Sequence, residues 1–83
     1  MTDLSDDASL PQTQAELEAE IALIEGMIKE TEATTRALMA REDPARGRFF
    51  AQEIHAMRQQ RLMLQTRAEL RRVRVRRILA GMA

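Results

Sequence analysis

Arg41-Glu42-Asp43-Pro44 decides the fold of this 83-residue chain. Proline fixes its own φ, removes a backbone donor and disfavours a helical conformation in the residue before it. A helix running up to Asp43 therefore ends there. Asp43 is suited to cap a new helix, with Pro44 as its first residue. The stretch reads as a turn at 42–43 between a helix over 10–41 and a second over 44–80. Gly47 falls in the first turn of the second helix, and Gly81 is its stop. A single helix through Pro44 would lose a hydrogen bond and press the ring on the preceding turn. So short a connection folds two helices back antiparallel.

Upstream of the break an apolar register runs at alternating spacings of four and three through Leu17, Ile21, Ile24, Ile28, Thr31, Thr35 and Leu38. Leu10 and Gln14 extend it backwards, and Thr13-Gln14-Ala15-Glu16 has the form of a capping box. Downstream the same spacing recurs in Phe50, Ile54, Met57, Arg61, Leu64, Ala68, Arg71, Val75 and Ile78. Both are coiled-coil seams. Residues 1–9 are acidic, polar and aperiodic, and are expected to form a disordered tail.

Composition narrows the function classes. The chain has no Cys, Trp or Tyr and only five Gly and Pro residues, against abundant Ala, Leu and Met. Those proportions favour helix and exclude a disulfide framework, a thiol nucleophile and a cysteine-built metal site. The amino end lacks a positive start and apolar run, and no stretch approaches a membrane span. A cytoplasmic protein without membrane association is expected. Twelve arginines against one lysine point to a GC-rich, bacterial genome.

No enzyme chemistry is expected. His55 and Glu53 project about 200° apart on a helix, so one chain cannot bring both to one metal. The three glycines are isolated, so no phosphate-cradling loop exists. Neither an activated nucleophile nor an acid–base pair is evident, and no cofactor is implied.

The second helix has more apolar surface than one neighbour covers. Leu62, Met63, Thr66, Leu70 and Val73 cluster roughly opposite its seam at about 100° per residue. A single helix–helix interface in a chain this small rarely contributes more than about 3–5 kcal/mol, so the spare face needs a partner. Two hairpins forming a four-helix bundle is the simplest answer, and a groove for another helical protein is the second. Phe49 and Phe50 either plug the turn end against Leu38 and Met39 or serve as a docking anchor. The expected oligomer or partner contacts are Phe49, Phe50, Leu62, Met63, Leu70 and Val73.

Zero net charge hides a segregation. Residues 1–43 hold eleven acidic and three basic side chains; residues 44–83 hold two and ten. With a turn centred near Asp43, Glu16, Glu18 and Glu20 run beside Arg67, Arg71 and Arg72, and Glu25 falls near Arg61. Opposed charges then select the antiparallel orientation. Arg71-Arg72-Val73-Arg74-Val75-Arg76-Arg77 concentrates five arginines in seven residues. They are either phosphate-neutralising contacts for nucleic acid or a helix end paired by the carboxylates of the first helix.

The sequence thus predicts an all-α protein: an antiparallel, coiled-coil-like two-helix hairpin that assembles as an oligomeric bundle. Its expected role is that of a non-enzymatic adaptor, assembly factor or chaperone, binding itself and another protein. The alternative is a nucleic-acid-binding bundle using Arg71, Arg72, Arg74, Arg76 and Arg77.

Overall fold

The first helix opens as its cap signal requires. In the computed structural model, which describes residues 13–81, α1 spans Gln14–Arg41. Thr13 is its N-cap: Oγ1 accepts from the Glu16 backbone N–H at 3.2 Å and donates to Glu16 Oε1 at 2.7 Å. An orphan amide is thereby satisfied, and an acid is held beside the positive helix end. The expected tail over 1–9, and the expected start of the helix at 10, lie outside the described residues. The second helix, α2, spans Ala51–Gly81. The two pack against each other as a hairpin, and the described residues contain no β-strand.

The turn corrects the sequence reading. Pro44 opens a helical turn, but it is a single 3₁₀ turn, Pro44–Arg46, and α2 begins at Ala51 rather than at 44. Gly47 ends that turn in the left-handed region, at φ 67° and ψ 26°, with its N–H donated to the Pro44 carbonyl. A left-handed residue reverses the chain, so Gly47 is a terminator and not an ordinary first-turn residue. Asp43 and Arg48 then close the loop with two backbone hydrogen bonds, of 2.9 and 2.8 Å. Asp43 makes no side-chain cap; its carboxylate instead meets Arg46 at 3.5 Å. Glu42 takes the capping role for α2, its Oε2 accepting the Phe50 N–H at 3.1 Å.

Both seams lie where the 4/3 spacing puts them. On α1, Leu17, Ile24 and Thr31 are buried, and Ile21, Ile28, Thr35 and Leu38 are half-buried. On α2, Ile54, Leu64, Ala68, Arg71 and Val75 are buried, with Met57, Arg61 and Ile78 half-buried. Ile24, Leu64 and Ala68 form the central cluster, flanked by Met27 and Ile28. The polar stretch of the α1 seam resolves its own hydroxyls. Thr31 Oγ1 donates to the Met27 carbonyl at 2.8 Å and Thr35 Oγ1 to the Thr31 carbonyl at 2.9 Å. Neither threonine therefore leaves a stranded polar atom on the seam.

The longer turn displaces the pairing. The cross-helix contacts Glu20–Arg71, Glu25–Arg72, Glu32–Arg61 and Ile24–Ala68 share a midpoint of about residue 46, not Asp43. Each α1 residue thus meets a partner about six positions further along α2, roughly 9 Å at 1.5 Å per residue. Arg61 accordingly faces Glu32, at 3.7 Å, rather than Glu25, which pairs with Arg72 at 2.8 Å.

Candidate functional site

The arginine run at 71–77 does not form one surface. A seven-residue helical stretch spreads its side chains round nearly two turns, and the α1 carboxylates collect those that face them. Arg71 is fully buried. Its Nε donates to Glu20 Oε2 at 2.9 Å and its Nη1 to the Arg67 carbonyl at 3.1 Å, while Nη2 has no partner among the described residues. Arg71 is therefore withdrawn from any external phosphate, contrary to its expected place in a nucleic-acid contact set. Arg72 donates from Nη2 to Glu25 and lies 3.7 Å from Glu69 through Nη1. Arg76 reaches Glu69 at 3.1 Å. Arg74 is half-buried and engaged, and Arg77 is exposed. A shallow cavity beside the run, lined by Glu18, Ile21, Arg72, Val75 and Arg76, carries both signs of charge on an apolar floor.

The apolar candidates fall into two groups. Phe49 is 61% exposed and does not plug the turn end. Phe50 is half-buried, with the Arg41 guanidinium 5.2 Å from its ring centroid, a cation–π stack that fixes the entry to α2. Both sit at the turn, about 30 Å along α2 from Leu70 and Val73. They do not join the other four residues in one site.

Leu62, Met63 and Leu70 are exposed, at 54%, 54% and 40%, and Val73 is half-buried. Met63, Leu70 and Val73 belong to a second register on the side of α2 turned away from α1, with Leu62 on its flank. Gln59, Met63, Thr66, Leu70, Val73 and Arg77 follow one another at spacings of four and three. At about 100° per residue their mean direction lies roughly 170° from that of the buried seam. Shallow grooves flank Met63 on this face, one lined by Gln59, Leu62, Thr66 and Arg67 and another reaching Ala56 and Gln60. Such hollows beside a seam residue are what a helix with coiled-coil spacing needs in order to insert its own side chains. The same 4/3 periodicity that locates the core locates this face, so the signal is present in the sequence, where the residues stand out only as an apolar cluster.

Among the described residues no group of three His, Asp or Glu side chains comes together to hold a metal, and no helix is long and apolar enough to cross a membrane. No protein-family model, curated protein or solved structure matches the chain.

Proposed function

We propose that this chain is a non-enzymatic protein–protein interaction module, a small cytoplasmic adaptor, assembly factor or chaperone. It engages a helical partner through the outer face of α2 at Leu62, Met63, Leu70 and Val73. One observation carries the reading: α2 has two coiled-coil registers on opposite sides, and α1 covers only one. Large apolar side chains left exposed in a seam pattern, with grooves beside them, suit insertion into another helix. Methionine at its centre adapts to varied partners.

Photo-crosslinking in cells tests this directly. A photoreactive residue in place of Met63 or Leu70 should give discrete protein adducts, and one in place of Gln65, outside the outer register, should not. Equal labelling from all three positions, or none, would sink the reading. Adducts dominated by nucleic acid would favour the alternative, in which exposed Arg77 and its neighbours Arg72, Arg74 and Arg76 contact phosphate.

A further inference from the structure

The outer face of α2 is basic as well as apolar: Arg77 stands in its seam and Arg67 beside it. The outer face of α1 has the opposite character. Glu16, Ala19, Leu23, Gly26, Glu30 and Ala33 also follow one another at spacings of three and four, and every one of them is exposed. This second α1 register points away from α2, with two carboxylates in the seam and Leu23, 53% exposed, between them.

We infer that the occupant of the α2 outer face is the outer face of α1 from a second copy of this chain, packed antiparallel and head to tail. The inference rests on the interaction reading above and names the partner. Its argument is charge complementarity. Pairing α2 with another α2 in parallel would set Arg77 against Arg77, and an antiparallel pairing would bring Arg67 beside Arg67 or Arg74 of the other helix, according to the register. Like charges so placed are strongly disfavoured. Pairing α2 with α1 of a neighbour opposes basic and acidic seams instead.

The register that already joins the two helices of one hairpin, with a midpoint of about residue 46, also aligns the outer faces. In that alignment Arg77 meets Glu16, Leu70 meets Leu23, Thr66 meets Gly26, and Glu30, opposite residues 62–63, lies a little over one turn from Arg67. Gly26 gains a reason as well. A glycine inside a helix costs about 1 kcal/mol relative to alanine, and a Cβ added here would meet nothing within 4 Å in the hairpin itself. Close approach of a second helix would use that space. Because the two complementary faces lie on opposite sides of the hairpin, each copy both offers and receives one. Such an interface is heterologous and continues until it closes into a ring or is capped.

Two face-blocking variants of the full chain test the arrangement by light scattering after size exclusion. L23K/E30K disables the α1 outer face, M63K/L70K the α2 outer face; all four positions lie outside the hairpin core, and circular dichroism checks that helix content is unchanged. Wild-type protein should exceed dimer mass with rising concentration. Each variant alone should fall to the 9.5 kDa monomer, and their equimolar mixture should give a single species of twice that mass. If L23K/E30K still dimerises, the contact is α2 on α2; the inference fails while the interaction reading stands. If M63K/L70K keeps the wild-type mass, the outer face of α2 is not the assembly face and the inference fails, while the crosslinks from Met63 and Leu70 still decide the interaction reading. A wild-type monomer at the highest attainable concentration overturns the inference alone.

Discussion

Arg71 is the charged residue buried in the hairpin interface. A guanidinium taken wholly out of water costs several kcal/mol, offset only by a well-placed carboxylate and further hydrogen bonds. Glu20 supplies the first at 2.9 Å and the Arg67 carbonyl one of the second. Glu20 itself keeps some solvent, its side chain being 22% exposed. Removing the charge of Glu20 alone leaves Arg71 stranded, so Glu20→Gln should lower unfolding free energy by on the order of 3 kcal/mol. Replacing both, Glu20→Leu with Arg71→Met, should restore most of that loss, because a buried ion pair rarely outdoes apolar side chains of similar volume. Urea unfolding followed by circular dichroism measures both. A single variant as stable as wild type would show that the pair contributes nothing. The position of Arg71 on the seam is plain from the 4/3 spacing, yet the density of arginines around it suggests a surface cluster. Composition counts charges without saying which of them face inward.

At the scale of the elements, the turn determines the pairing of the two helices. Pro44-Ala45-Arg46-Gly47 has proline at its start and glycine at its end, the asymmetry of a complete short helical turn. Periodicity masks it, because Phe50 continues the α2 register one residue before that helix begins. The seams themselves are legible: every described residue that the spacing assigns to either seam is buried or half-buried. The register is not, since it depends on how many residues the turn consumes. Gly47→Ala forces a side chain into the left-handed region and should cost about 1–2 kcal/mol, whereas Gly47→Asn, which tolerates that region, should cost less. Equal stabilities for the two variants would deny Gly47 its terminating role. The register has its own test, made simple by the absence of native cysteine. Under mild oxidation the pair I24C/A68C should crosslink within one chain, and I24C/L62C, which fits a turn centred on Asp43, should not. The reverse result would restore the shorter turn.

For the whole molecule, segregated charge is first an orienting device. Acidic α1 and basic α2 attract each other along their length, but the exposed pairs are individually weak: Arg61–Glu32 and Arg72–Glu25 leave about two-fifths or more of their side chains in water. Pairs of this kind contribute roughly 0.2–1 kcal/mol each, so they select the antiparallel orientation more than they hold the fold. The same pairing determines what remains for an outside ligand. With Arg71 buried and Arg72 and Arg76 engaged by Glu25 and Glu69, the positive run at 71–77 presents far less field than its sequence implies. Sequence alone could not apportion those arginines, because which carboxylates reach them follows from the register. Binding of a fluorescent 20-base-pair DNA duplex at about 0.15 M salt should therefore be no tighter than the non-specific range of about 10⁻⁴–10⁻⁶ M. Replacing Arg72, Arg74, Arg76 and Arg77 by glutamine should change fluorescence anisotropy titrations little. Affinity well beyond that range, with a logarithmic salt slope that falls by about one for each arginine replaced, would instead make the carboxyl-terminal end of α2 a nucleic-acid surface. The carboxylates of α1 would then serve chiefly to hold Arg71 while its neighbours bind.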